Sequence, residues 1–227
     1  MKNNVWVRVL PFAVFLIFIG LQQSIVGLTE KGILAATDKQ LLYLYPVKAL
    51  VVAGLLLAFW RQYHELRLRD LADLKRTAGS ILLGLLVFVL WINMDWNCAT
   101  VGECKGYDPT LTTGWVSPLL IGFRLFGAVL VVPLMEELFW RSFLLRYLIN
   151  SDFEGVAIGT FTWGSFIISA VLFGLEHNLL LAGIMAGVAY NLLLYRTKSV
   201  AQCVLAHAVT NLALGIYVLQ TGHWYFW

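Results

Sequence analysis

The sequence has few charged residues for its length. Charged side chains make up 13% of the 227 residues, about half the share of a typical soluble domain, and the formal net charge is +3. Apolar residues make up 60%, and the mean hydropathy is +0.78. A soluble chain this apolar could not cover its own core with polar groups, so the composition excludes a soluble enzyme and a disordered tail. The small net charge also excludes nucleic acid as a partner.

Cysteine is scarce as well, with three residues in the whole chain. Three cysteines do not make a disulfide scaffold. Cys203 lies in an apolar stretch and is most simply a small buried hydrophobic residue. Cys98 and Cys104 share one polar loop, and they can form a disulfide if that loop faces an oxidising compartment. Their spacing alone leaves this pairing open.

Long apolar runs fill most of the chain. A helix needs about 20 apolar residues to cross roughly 30 Å of hydrocarbon. Seven runs approach that length, at residues 9–28, 40–60, 78–96, 116–149, 161–175, 179–195 and 200–219. No cleavage pattern follows the first run, so we expect it to be an uncleaved anchor. The sequence predicts an all-α, polytopic integral membrane helical bundle of about seven transmembrane helices (six to eight), forming a single membrane domain over 1–227.

Basic residues are concentrated between the second and third runs. The segment 61–76 contains Arg61, Arg67, Arg69, Lys75 and Arg76. Short loops rich in Lys and Arg face the cytoplasm, so we predict that this segment and the N-terminus are cytoplasmic and that 97–114 is outside. The segment either only sets the topology, which we favour, or forms a short amphipathic helix on the inner surface.

Ionisable groups interrupt the apolar runs at three places, all in the C-terminal half. Such groups cost roughly 2.5–3.5 kcal/mol each inside a span, so they are candidates for function. At the first place, two adjacent carboxylates follow Pro133, which we expect to kink the helix. Glu137 and Arg141 are four residues apart and can pair on one face, which leaves Glu136 pointing elsewhere. A packing role explains the pair but not the second carboxylate.

The other two interruptions lie on later runs. His177 is a plausible proton carrier beside a carboxylate. Its neighbours Glu176 and Asn178 are explained equally well as a helix end at the membrane interface, where polar groups cost little. His207 and Asn211 are four residues apart, so they lie on one helix face and form a potential pair of hydrogen-bond donors.

Helix lengths place these side chains at similar depths. Glu136 lies about 20 Å before the end of the fourth run, and His177 lies about 24 Å into the fifth run. A short loop joins the two runs, so we expect Glu136 and His177 to meet inside the bilayer, with His207 near the same level. Gly183 and Gly187 allow the sixth helix to pack closely on its neighbours.

The three polar motifs, taken in order, resemble one family of membrane proteins. The motifs are Glu136-Glu137-x-x-x-Arg141, Phe173-x-x-x-His177 and His207-x-x-x-Asn211. They resemble those of the CAAX prenyl endopeptidase and bacteriocin-processing (CPBP) family of intramembrane proteases. The resemblance implies a catalytic core over 118–220 and peptide-bond hydrolysis by a glutamate-type mechanism without a cofactor.

The resemblance also implies a role for each motif residue. Glu136 and His177 would activate a water, and His207 and Asn211 would stabilise the oxyanion. The remaining motif residues would support the site: Glu137, Arg141 and Phe173. General chemistry agrees, because a carboxylate in an apolar site is a stronger base and preset donors lower the barrier to attack.

Two other peptidase mechanisms remain open. Zinc could be bound by the nitrogen and oxygen donors of Glu136, Glu137, His177 and His207. The sequence lacks the H-E-x-x-H pattern, and we favour the metal-free mechanism. A thiol mechanism could use Cys203, which is four residues before His207.

Two further hypotheses come from other functional classes. A transporter or channel would relay protons through buried Glu and His side chains, and it would be favoured by inverted repeats, which the sequence does not show. A non-catalytic scaffold or immunity protein would be favoured by loss of a motif residue, and none is lost.

The whole chain also resembles a bacterial subgroup of the family, the CAAX-protease-related proteins associated with exosortase protein-sorting systems. The likeness is carried by residues 173–178, 189–197 and 204–217. It implies a location in a bacterial inner membrane. It also implies that the partner is a membrane protein substrate, lipidated or with a C-terminal sorting signal. The sequence does not indicate an oligomeric state.

Overall fold

A computed structural model of the protein describes residues 4–96 and 106–227. These ranges contain seven helices and no strands, which confirms the predicted all-α class. The helices are α1 (Val5–Glu30), α2 (Asp38–Ala58), α3 (Leu74–Ile92), α4 (Val116–Tyr147), α5 (Trp163–Leu175), α6 (Leu180–Thr197) and α7 (Val200–Thr221). Six of them are long and apolar enough to cross a membrane. The possible Cys98–Cys104 disulfide lies outside the described residues.

The fifth helix is shorter than the others. Its 13 residues rise about 20 Å, which is less than the roughly 30 Å of hydrocarbon that a spanning helix crosses. The helix ends at Glu176, and the backbone N–H of His177 donates to the carbonyl of Gly174 at 3.0 Å. The helix therefore ends at the polar trio, in which Glu176 and His177 are half-buried and Asn178 is exposed.

The long helix α4 is not α-helical throughout. Two wider, π-helical turns at Gly127–Val131 and Leu138–Leu144 flank the α-helical segment Val132–Glu137. Pro133 has no N–H to donate to the carbonyl four residues earlier, so the α-helical hydrogen bonds are interrupted beside it. The irregularity lies where the sequence predicted a kink, and π-helical turns of this kind are frequent at functional sites.

Glycine allows α5 and α6 to approach each other closely. A Cβ atom added to Gly183 would lie 2.8 Å from the Cα of Gly174, and one added to Gly187 would lie 3.0 Å from the Cα of Ala170. Real Cβ contacts are rarely that short, so the close packing predicted from the small residues is confirmed. The α5–α6 hairpin holds His177 in place at its turn.

The basic residues meet at one end of the bundle, which we call the basic end. Arg8 Nε lies 2.7 Å from Glu65 Oε1, and Arg146 Nη1 donates to the carbonyl of Val156 at 3.2 Å. Between α2 and α3 the chain forms two short 3₁₀ turns, Trp60–Gln62 and Leu68–Ala72, and not the amphipathic helix that was the less favoured alternative. These turns pack against the helix ends.

Candidate active site

The three polar motifs converge on one cavity of about 700 Å³. Its lining includes Glu136 from α4, His177 from the α5–α6 turn, and His207 and Asn211 from α7. A carboxylate oxygen of Glu136 and a ring nitrogen of His177 lie within 4.8 Å of each other. The expectation that these two side chains meet is therefore confirmed. From this point the cavity extends away from the basic end, towards the loop that contains Tyr107.

Glu137 is surrounded by partners. Its Oε2 atom lies 3.2 Å from Arg141 Nε, and its Oε1 atom accepts a hydrogen bond from Arg141 Nη1 at 3.2 Å. The same Oε1 atom lies 2.9 Å from His207 Nδ1. The predicted pairing of Glu137 with Arg141 is confirmed. The contact with His207 was not predicted, because it joins α4 to α7 and depends on how the two helices pack.

Glu136 has a different environment, although it is the next residue in the chain. Its side chain is 6% exposed, and its Oε2 atom has no hydrogen-bond partner. An ionisable oxygen that is buried without a protein partner is costly unless a water or a ligand satisfies it. The arrangement therefore leaves one carboxylate of the motif available to the cavity.

One hydrogen bond determines which ring nitrogen of His177 carries the proton. Nδ1 lies 2.7 Å from the carbonyl oxygen of Phe173. A carbonyl can only accept, so Nδ1 is the donor and the neutral ring presents the Nε2 lone pair. Trp91 packs edge-on against this ring, with the ring centroids 5.3 Å apart. His177 can therefore accept a proton, or bind a cation, through Nε2.

Glu176 is a site residue that the sequence analysis did not select. One of its carboxylate oxygens lies within 4.8 Å of donor atoms of both Glu136 and His177. Its Oε1 atom accepts a hydrogen bond from Trp140 Nε1 at 3.0 Å. Its position next to His177 in the sequence was the available signal. The sequence alone did not distinguish this position from a helix end at the membrane interface.

Aromatic rings fix the position of His207. The His207 ring is stacked on Tyr190, with centroids 5.1 Å apart and an angle of 22° between the planes. Tyr190 Oη in turn donates to Thr210 Oγ1 at 2.8 Å. Phe173 lies against both site histidines, with centroid distances of 4.9 Å to His177 and 6.1 Å to His207. The supporting position predicted for Phe173 is therefore one that contacts both rings.

Asn211 is anchored to the irregular part of α4. Its Nδ2 atom donates to the carbonyl of Ala128 at 2.8 Å, and Ala128 lies in the first π-helical turn. An amide nitrogen carries two hydrogens, so one remains for another acceptor in the cavity.

Cys203 is fully buried, as expected for a small hydrophobic residue. Its thiol lies 3.6 Å from the carbonyl of Tyr190, whereas the Nδ1 atom of His207 contacts Glu137. The geometry therefore gives no support to a pair of Cys203 with His207.

Three of the described residues could together hold a metal ion. They are Glu136, Glu176 and His177, each with one donor atom within 4.8 Å of the others. This set differs from the four zinc ligands that the sequence suggested. Glu137 already contacts both Arg141 and His207, and Glu176 is the third potential ligand instead of these two residues.

Two cations of the cavity were also missed by the sequence analysis. Lys48 on α2 and Arg124 on α4 line the same cavity as the polar motifs. Both lie well inside apolar segments, which was the available signal. They were overlooked because each is isolated in the sequence, without the i, i+4 partner that marked the other clusters.

Comparison with known proteins agrees with this geometry. Residues 118–213 match the family model described as type II CAAX prenyl endopeptidase Rce1-like. No curated protein and no solved structure matches the chain. The matched region runs from α4 to α7 and includes all three polar motifs. Over residues 118–213 the chain is therefore similar to the Rce1-like type II CAAX prenyl endopeptidases, which are a family of peptidases.

Proposed function

We propose that this protein cuts a peptide bond near the C-terminal end of a membrane-associated protein, inside the membrane and without a bound metal. The observation that carries this proposal is the convergence of Glu136, His177, His207 and Asn211 on one buried cavity. A scaffold has no need for an unpartnered carboxylate beside a histidine lone pair and an amide donor, and a proton relay uses only the first two. A peptidase needs all three.

In this proposal Glu136 and His177 activate the attacking water. A carboxylate oxygen of Glu136 and a ring nitrogen of His177 lie within 4.8 Å of each other, so one water can contact both side chains. Glu136 takes one proton as the water oxygen attacks the carbonyl carbon. The carbon–nitrogen bond then breaks, and the leaving amine receives a proton from the same pair. The products are a new carboxyl group and a new amine.

Asn211 and His207 stabilise the negative oxygen of the intermediate. Asn211 can offer the Nδ2 hydrogen that Ala128 does not use. His207 directs Nδ1 at the Glu137 carboxylate, so Nδ1 carries a proton. In this proposal Nε2 of His207 is the second donor, with both ring nitrogens protonated, and the Asn211 amide is the first.

The proposed substrate is a membrane protein with a C-terminal sorting signal, composed of one hydrophobic helix and a basic end. This choice rests on the likeness to the exosortase-associated subgroup. Co-expression with such a protein, followed by mass measurement of its C-terminus, tests it. An unchanged C-terminus in the presence of active enzyme would contradict it.

We also propose that the basic end faces the cytoplasm, so that the cavity extends towards the outer side. Arg8 contacts Glu65 of the 61–76 segment and Arg146 contacts Ser142, so basic residues gather at one end, and basic loops face the cytoplasm. An Arg69→Cys variant, with the three native cysteines replaced, should react with an impermeant thiol reagent only after the cell is opened. Reaction in intact cells would reverse the orientation.

One observation favours a second candidate, a metal-dependent peptidase. The donor atoms of Glu136, Glu176 and His177 are close enough to share one ion, and catalytic zinc sites commonly have three protein ligands and a water. In that case Glu176 is a ligand. In the metal-free mechanism it only borders the site.

The deciding experiment measures cleavage of a purified substrate by the wild type and by Glu136→Gln. Removal of the base should lower the rate at least about a hundredfold while the variant still inserts and folds. Both proteins are assayed with and without a chelator, and the metal content is measured. Loss of wild-type activity with the chelator, restored by zinc, would replace the metal-free mechanism by the metal-dependent one.

Two variants serve as controls in the same assay. Glu154→Gln changes a partly exposed carboxylate at the basic end, away from the cavity, and should retain full activity. Glu176→Gln should retain most activity in the metal-free mechanism but lose both bound metal and activity in the other. Full activity of Glu136→Gln would contradict both mechanisms.

A further inference from the structure

Lys48 and Arg124 are buried cations without an acidic partner among the described residues. Lys48 is 7% exposed, and the Nε atom of Arg124 is buried without a hydrogen-bond partner. No carboxylate in the described ranges lies within 4 Å of either side chain. Buried cations are normally paired, because an unpaired charge inside a protein is costly. These two therefore need another explanation.

Aromatic rings hold the two cations beside each other. Lys48 Nζ lies 4.1 Å from the ring centre of Phe15 and 5.0 Å from that of Tyr45. The Arg124 guanidinium lies 4.4 Å from the same Tyr45 ring and 5.4 Å from the ring of Tyr107. The aromatic faces offset part of the cost of burial but leave the positive charge unneutralised. We call Lys48 and Arg124 the cation pair.

The cation pair and the polar motifs line the same cavity. On α4 the lining residues are Arg124, Ala128, Val132 and Glu136, which are spaced by four and so lie on one face of the helix. Arg124 precedes Glu136 by twelve residues, or at most about 18 Å of helix, since the π-helical turn between them rises less per residue. An extended peptide spans at most about 3.3–3.6 Å per residue, so about five residues fit between the two ends.

We propose that the cation pair binds the C-terminal carboxylate of the substrate, about five residues beyond the bond that is cut. The inference rests on the proposed peptidase function and extends it. A carboxylate supplies the negative charge that both cations lack, and the apolar wall between them and Glu136 suits the uncharged residues of the released peptide. The enzyme would thus measure the distance from the chain end to the scissile bond.

The test compares two forms of one hydrophobic peptide, with a free C-terminal carboxylate or with a C-terminal amide. Binding of each form to the Glu136→Gln protein, which does not cut it, is measured by fluorescence in neutral-lipid nanodiscs. We expect the free acid to bind about tenfold more tightly, as a charge-assisted hydrogen bond in a buried site provides. Equal binding of the acid and the amide would overturn the proposal.

Variants of the cation pair sharpen the test. Lys48→Met and Arg124→Gln should each reduce the preference for the free acid and leave the affinity for the amide unchanged. In the active enzyme they should raise KM for the acid and change kcat little. Lys39→Met is the matched control, because it alters an exposed lysine of the same helix that does not line the cavity. A preference that survives both cavity variants would contradict the proposal.

Two further comparisons separate other sources of the negative charge. A peptide with an amide end and an aspartate at its last position distinguishes a side-chain carboxylate from the chain end. Tight binding of that peptide would mean that the site reads any carboxylate at this distance, and not the terminus. If phosphatidylglycerol in the nanodisc abolishes the preference for the free acid, the cation pair binds a lipid phosphate and the proposal fails.

Peptide length provides a readout that does not depend on mutation. Cleavage should be fastest when about five residues follow the scissile bond and should fall for shorter and longer ends. A cleavage rate that does not depend on peptide length would contradict the proposal that the enzyme measures the distance from the chain end to the scissile bond. The binding assay uses an inactive variant, so failure of the carboxylate preference can be distinguished from failure of the peptidase proposal, which would appear as absent cleavage.

Discussion

The basic end and the cavity treat buried charges in opposite ways. At the basic end, Arg8 contacts Glu65 and Ser142, and Arg146 donates to the backbone of Ser142 and Val156. In the cavity, Glu136 Oε2 and Arg124 Nε have no hydrogen-bond partner, and Lys48 has no ion-pair partner among the described residues. Buried charges that stabilise the fold have protein partners, whereas buried charges that bind a substrate or ligand have no protein partner. The contrast separates structural from functional polar residues in a membrane protein where both are buried.

The largest expected effect on stability is at the adjacent carboxylates, because Glu137 has protein partners and Glu136 does not. Glu137→Gln should lower the free energy of unfolding by about 3–5 kcal/mol, because it leaves the buried Arg141 charge uncompensated. Glu136→Gln should not destabilise the protein, since no protein group depends on that carboxylate. Thermal unfolding of both variants in detergent measures the difference. Equal destabilisation would remove the distinction between the two residues.

A second test exchanges one cation from each region for methionine. Arg8→Met should lower the free energy of unfolding by about 3 kcal/mol, because it strands the mostly buried Glu65 carboxylate. Lys48→Met should leave stability unchanged or raise it, because an unpaired buried charge is replaced by an apolar side chain of similar length. If Lys48→Met is the more destabilising change, the lysine has a structural partner and the contrast is wrong.

The basic end should also respond to acid. Burial raises the pKa of Glu65. The hydrogen bonds and charge of Arg8 and a hydrogen bond from Ser142 lower it by more than burial raises it, so the pKa lies below its usual value. A lowered pKa contributes stability that is complete above the unfolded value of about 4.3 and is lost as the pH falls through the folded value.

The melting temperature of the wild type should therefore fall as the pH is lowered below about 4.3. Glu65→Gln should already be less stable at neutral pH and should lose part of this acid dependence. The comparison of the two pH profiles measures the contribution of Glu65. Parallel profiles would mean that other carboxylates cause the acid sensitivity.

The smallest effect is expected at an ion pair that is open to solvent. Arg76 and Asp73 lie 3.1 Å apart, with side chains 57% and 45% exposed. Asp73→Asn removes the charge but keeps an oxygen that can cap α3 through the N–H of Arg76. The melting temperature should hardly change, since exposed pairs contribute about 0–1 kcal/mol. A large decrease in the melting temperature would show that this exposed ion pair stabilises the protein as much as the buried ion pairs of the basic end do.

Much of the fold could be predicted from the sequence, because spans are recognised by length and hydropathy alone. The role of the polar end of α5 could not, because Glu176 and His177 are equally typical of a helix end at an interface and of one that lines a site. The pairing of Glu137 with Arg141 followed from a spacing of four residues on one helix. The contact of Glu137 with His207 crosses from α4 to α7, and no local pattern encodes it.

The sequence by itself determined that the chain is a membrane bundle and which residues carry its three polar motifs, since an ionisable side chain in an apolar run is visible without coordinates. Only the tertiary structure decided which of these side chains are satisfied. The four-residue spacing pairs Glu137 with Arg141, but only helix packing brings His207 to Glu137 and leaves Oε2 of Glu136 with neither a hydrogen-bond nor an ion-pair partner among the described residues. The reason is physical: hydrogen bonding depends on distances of about 3 Å between atoms of different helices, and these distances exist only after the helices have packed.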